Sequence, residues 1–136
     1  MFALLKWVQI ALRLCIVALF LKSILWKIFP IPPVIYIFEK LNMEPEGRYL
    51  SIIPEALAIL LLFQNKFSWI GSIMCLLWSV ITLYFNIAWL GNDVLPYGAT
   101  LFIVTYITLI TSAILVLFDF VRWYQIISLD SQKKKY

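Results

Sequence analysis

The chain has 136 residues, of which 64% are hydrophobic and 13% charged, with a net charge of +4 and no histidine. A soluble domain carries about 25% charged residues, so this composition reads as a single membrane domain over residues 1–136, most of it in lipid. Without histidine, imidazole metal sites and histidine-based triads are excluded; basic residues gathered at segment ends, rather than along one stripe, argue against nucleic acid as a partner.

The first predicted helix, about residues 7–29, reads WVQIALRLCIVALFLKSILWKIF. Its length matches a hydrocarbon core of roughly 30 Å and exceeds a signal-peptide core, so it is expected to be a retained span. It nevertheless holds Arg13, Lys22 and Lys27. Each costs about 2.5–3.5 kcal/mol near the centre of a lipid-facing helix, so this helix needs partners that take up charge. Pro30 to Pro33 stop it. Residues 34–43, VIYIFEKLNM, are too short to span, and Val34, Ile37, Phe38 and Leu41 at helical spacing predict a short interfacial helix.

After the polar turn 44–48 comes a second, short span at about 49–63, with Pro54-Glu55 in its opening turns. Gln64-Asn65-Lys66 turns the chain back into a third helix, about 67–90, nearly free of charge. Gly91-Asn92-Asp93 and Pro96 connect to a fourth, about 97–121, closed by Arg122 and followed by a tail, 123–136, with lysines at 133, 134 and 135. The expected fold is an all-α membrane protein: an antiparallel four-transmembrane-helix bundle with a short interfacial helix between the first and second helices.

Four spans put both termini on one side, together with Lys6, Lys66, Arg122 and the tail lysines, while Glu39, Glu44, Glu46 and Asp93 fall on the other. The positive-inside rule then makes both termini cytoplasmic. Trp7, Trp69 and Trp123 fall at the inner interface and Trp26, Tyr49, Trp89 and Tyr97 at the outer one; Trp78, at mid-depth, is expected to serve packing.

Arg13, Phe20 and Lys27 share one stripe of the first helix, because steps of seven drift by only about 20°. The third helix aligns Ser72, Cys75, Ser79, Thr82 and Asn86, and the fourth Gly98, Thr105, Ser112 and Asp119 with Thr108 beside them. Small and hydroxyl residues on one face let membrane helices approach closely, so these stripes read as packing seams. The alternative reading makes Ser79, Thr82, Asn86, Thr105, Thr108 and Ser112 the polar lining of a ligand cavity.

Glu55 needs a basic partner. Face favours Lys27, on the stripe of Arg13; depth favours Lys22, and Lys27 is the expected partner with Lys22 next. Arg13 and Asp119 can pair in the same way at the inner end. The cluster reads either as a structural clamp or as a proton or ligand site. Cys15 and Cys75 are too far apart for CxxC chemistry and are expected to be buried small hydrophobes, with a thiol pair at similar depth as the alternative.

The pattern of Arg13, Phe20 and Lys27 followed by Pro30, and of Glu55 ahead of a leucine-rich run with the Gln64-Asn65-Lys66 turn beyond, resembles the DoxX-like family of small four-helix membrane proteins. The resemblance covers roughly residues 6–89. Val17 and Ile24 stand where that family's first helix usually has glycine, and no glycine follows Glu55. The resemblance implies a bacterial inner-membrane location and association with redox complexes or with other membrane proteins.

Three functions follow as expectations: a non-catalytic subunit or accessory factor of a membrane complex, docking another membrane protein; a quinone-linked oxidoreductase subunit; and a lipid- or small-molecule-binding membrane protein. None supplies a complete catalytic set, and no cofactor is predicted beyond a quinone in the second.

Overall fold

The structure, a computed structural model, describes residues 2–29, 31–90 and 98–134. These residues are all-helical: α1 (Phe2–Ile28), α2 (Pro32–Lys40), α3 (Glu46–Leu50), α4 (Ile52–Phe63), α5 (Ser68–Phe85), a π-helical segment (Asn86–Leu90) and α6 (Gly98–Lys133). Three stretches are long and apolar enough to cross a membrane: Ala3–Ile28, Ser68–Ala88 and Ile103–Lys133.

Several boundaries depart from the sequence pattern for local reasons. α2 starts two residues earlier than the expected interfacial helix, because proline at the first helical position lacks only an N–H that would be unbonded anyway. It closes through Asn42, held at φ 54°, a conformation that asparagine tolerates. The polar turn 44–48 and the start of the second span are instead the short helix α3. Ser51 separates it from α4 and donates through Oγ to the Arg48 carbonyl at 2.7 Å. Pro54 sits in the first turn of α4, where its missing N–H breaks no helical bond. α4 has 12 residues, about 18 Å of helix. α6 continues past Arg122 to Lys133, and all its residues from Phe120 onward are exposed. The connection through Gly91, Asn92, Asp93, Pro96 and Tyr97 lies outside the described residues, as do Pro30 and Lys135.

α4 packs on α5, α5 on α6, α6 on α1 and α1 on α4. Burial is inverted relative to a water-soluble protein. Leu14, Leu21, Leu25, Leu77, Ile110 and Leu117 are exposed, while the buried set includes Ser72, Ser79, Thr105, Thr108, Thr111 and Ser112. An apolar surface this extensive suits contact with a bilayer. Small side chains inside let the helices approach, and Ser79, Thr108, Thr111 and Ser112 return their hydroxyls to the carbonyl four residues earlier. The apolar centre is a plug of Ile16, Val17, Phe20, Ala58, Ile59, Leu62, Cys75 and Leu115.

At Gly71 the backbones of α4 and α5 come close together. A Cβ there would stand 2.9 Å from the Leu62 backbone nitrogen and 3.0 Å from Leu61 Cβ. Backbone cannot rotate away as a side chain would, so α4 and α5 would have to separate. We expect Gly71→Ala to destabilise the protein by roughly 1–3 kcal/mol, the usual cost of overpacking, read as earlier unfolding in detergent titrated with dodecyl sulfate. Unchanged unfolding would show that this contact is loose.

Candidate functional site

The centre of the site is the Glu55 carboxylate, 3% exposed on the first turns of α4. Its Oε1 accepts three hydrogen bonds: from Lys27 Nζ at 2.7 Å, from Trp78 Nε1 at 2.9 Å and from Ser23 Oγ at 3.1 Å. Its Oε2 is buried and has no hydrogen-bond partner among the described residues. Lys27 and Ser23 come from the same face of α1, four residues apart, and Trp78 from α5, so one carboxylate oxygen joins three helices. The Lys27 ammonium also lies 5.8 Å from the centre of the Trp78 ring.

A second layer holds Lys27 in place. Arg48, buried on α3, donates through Nη1 to the Lys27 carbonyl at 2.6 Å, satisfying one of the acceptors left open at the end of α1. The guanidinium is itself paired with Glu44, Nη2 to Oε1, at 2.6 Å.

Lys22 does not join this cluster. It points out of the bundle, its ammonium 4.5 Å from the centre of the Trp26 ring, and among the described residues no carboxylate pairs with it. The two lysines lie five residues apart, half a turn round the helix, and only Lys27 faces α4.

The other pair, Arg13 and Asp119, forms at 2.8 Å, about 21 Å further along α1. Asp119 Oδ1 also accepts from the amide of Gln9, and Arg13 Nη2 donates to Ser68 Oγ at 3.0 Å. Neither Gln9 nor Ser68 stood out in the sequence, although Gln9 lies four residues before Arg13 on the same face. Between the two clusters sits the apolar plug around Phe20, and the buried hydroxyls beside it, Ser72, Ser79, Thr108, Thr111 and Ser112, donate to carbonyls of their own helices.

A cavity of about 270 Å³ opens beside Glu55, with α1, α2, α4, α5 and α6 all contributing walls. Its polar wall is Glu55, Lys27, Trp78, Thr82, Asn86 and Thr105. Its apolar wall includes Leu19, Val34, Phe38, Phe85 and Val104. Exposed Lys22, Met43 and Ile81 stand on its rim. A smaller space of about 90 Å³ adjoins it, bounded by Ser79, Thr82, Thr105 and Thr108. Asn86 donates to Thr105 Oγ1 at 3.2 Å where α5 widens into the π-helical segment. Ser112 borders neither space; it is fully buried and bonds within α6.

Two expectations need correction. Cys15 is exposed on α1, because it precedes buried Ile16 on the outward turn, while Cys75 is fully buried, so the thiols are free and do not share one environment. Trp78 does more than pack, since its indole N–H serves Glu55.

The described residues thus define an all-helical fold, in which three helices are long and apolar enough to cross a membrane and a buried ion pair stands on the wall of a cavity. Comparison with protein-family models, curated proteins and solved structures finds no match.

Removing one partner of a buried ion pair leaves the other charge uncompensated. We expect Glu55→Ala to destabilise the protein by roughly 3–5 kcal/mol, and the double substitution Glu55→Leu with Lys27→Met to restore most of it. Dodecyl sulfate unfolding of both variants checks this. Equal stability of Glu55→Ala and the unaltered protein would refute the assignment of Glu55 as the keystone.

Proposed function

We propose that this chain is a DoxX-like integral membrane protein that holds a lipid-like or other small amphipathic molecule in the cavity beside Lys27 and Glu55. In this reading α1, α4, α5 and α6 are four antiparallel spans. α4 crosses with the help of α3, and α2 lies at the outer interface. Both termini face the cytoplasm, in a bacterial inner membrane. The observation that carries the reading is a mostly apolar cavity with Lys27, Glu55, Trp78, Thr82 and Asn86 gathered in its wall. Ligand sites combine these features: an apolar enclosure and a few polar groups held in place by their neighbours.

The accessory-subunit reading rests on a different observation. The end of α6 stands clear of the bundle and exposes Tyr124, Ile126, Ile127 and Leu129, apolar groups suited to a partner protein. The two roles are compatible. A quinone-linked redox role finds no thiol pair in exposed Cys15 and buried Cys75, and a quinone enters only as one amphiphile that the cavity would take.

Native mass spectrometry of protein extracted in mild detergent tests the binding reading. We expect one amphiphile retained per chain, and its loss in Thr82→Phe, which fills the cavity while the helical circular dichroism is unchanged. Protein that carries nothing, or a filled cavity that still carries the molecule, would sink the idea. For the accessory role, a defined second chain should co-purify at fixed stoichiometry and be lost on truncation after Arg122. Co-purification that survives truncation removes the α6 end as the docking element.

A further inference from the structure

α2 stands apart from the rest of the fold. α1, α4, α5 and α6 pack on one another around the apolar plug, whereas α2 packs closely on none of them among the described residues. Helical spacing puts Val34, Ile37, Phe38 and Leu41 on one face, and that face borders the cavity. Val34 is buried there and the other three are half-buried, while Glu39 and Lys40 are exposed on the far side. Apolar attraction needs atoms in contact, so what lies in the cavity decides how firmly such a helix is held.

The chain breaks at both ends of α2. Ile31 is extended, at φ −86° and ψ 153°, ahead of Pro32, and Asn42 lies at φ 54° just past the last turn. A few element-terminal residues of this kind are what a hinge needs. Beyond them the chain is firm. The Gly47 N–H donates to the Met43 carbonyl at 2.6 Å. Arg48 bonds both sides of the loop, Nη1 to the Lys27 carbonyl at 2.6 Å and Nε to the Glu44 carboxylate at 2.8 Å. The two roots of α2 are therefore clipped together by one buried guanidinium.

We propose that α2 is a lid on the cavity. It swings as a unit about Ile31 and Asn42, Arg48 keeps its roots together, and a molecule in the cavity holds it down through Val34, Ile37, Phe38 and Leu41. The inference rests on the cavity being a ligand site, as proposed above, and adds the route by which that site is loaded. Lifting α2 uncovers Val34 but breaks neither intramembrane pair: Lys27 and Glu55 lie on α1 and α4, Arg13 and Asp119 on α1 and α6. A segment with few buried apolar contacts sits at the low-stability end of a structure, where moving lids are found.

The test is labelling of the full chain in detergent with N-ethylmaleimide, read by intact mass, in a Cys15→Ser background. Cys75, fully buried in the plug, reports opening of the bundle, Val34→Cys reports lifting of α2, and Glu39→Cys reports the unhindered rate on its exposed face. The Val34→Cys thiol should react roughly tenfold more slowly than Glu39→Cys, yet to completion while Cys75 stays unmodified. Thr82→Phe, whose ring occupies the cavity, should slow it further. Arg48→Lys, which cannot bond Lys27 and Glu44 at once, should speed it with Cys75 still unmodified. A Val34→Cys thiol as inert as Cys75 would make α2 a fixed wall, and one as fast as Glu39→Cys would mean that it never closes; either overturns the lid. A rate unchanged or raised by Thr82→Phe would break the link between cavity and lid. Labelling of Cys75 in Arg48→Lys would give Arg48 to the bundle instead. An amphiphile retained in native mass spectrometry beside a fixed α2 leaves the binding reading without the lid; a lifting α2 in a protein that retains nothing removes both.

Discussion

A charge placed in an apolar medium must find its opposite, and the chain is arranged around that requirement. Lys27 on α1 meets Glu55 on α4, and the meeting is effective because both ends are held. Trp78 and Ser23 complete the coordination of the same oxygen, while Arg48 grips the backbone of Lys27 from behind. Any one of these contacts alone would be a modest interaction. Together they settle how α1 is rotated against α4 and α5, because turning any of the three by a residue would strand a charge.

The second ion pair does the same work for α1 and α6, and it stands apart from the first. A layer of Ile16, Phe20, Ala58, Leu62, Cys75 and Leu115 separates them. That layer bears on function. Charged groups at two depths in one bundle invite the idea of a relay across the membrane, but the buried hydroxyls at the level between them, Ser72, Ser79, Thr108, Thr111 and Ser112, all donate to carbonyls of their own helices. The Arg13–Asp119 pair stands on one side of that layer and the cavity beside Glu55 on the other.

Much of the architecture was legible in the sequence. Helical periodicity put Arg13, Phe20 and Lys27 on one stripe and Glu55 at the start of a leucine-rich segment; the choice of Lys27 over Lys22 followed from which face each occupies. Spacing within one helix is intrinsic to the chain, so a sequence can display it. Contacts among three helices depend on how each is rotated and how deep it sits, and no single periodicity reports those. Hence the contacts of the Trp78 indole with Glu55, of Gln9 with Asp119 and of Ser68 with Arg13 are not legible in the sequence. The break at Ser51, the π-helical segment from Asn86 and the continuation of α6 past Arg122 are local outcomes that composition did not decide. The exposure of Cys15 departs from expectation for a related reason: an apolar run marks membrane depth without saying which side of the helix faces outward.

One mechanical consequence concerns α6, which at 36 residues extends about 54 Å, well beyond the thickness of the apolar layer. Its root is clamped at Asp119 and its tip is unsupported. A rigid rod of this shape magnifies motion: a tilt of about 10° at the clamp sweeps the last dozen residues through roughly 3 Å. Whatever touches that tip would therefore sense small rearrangements inside the bundle as a sideways push.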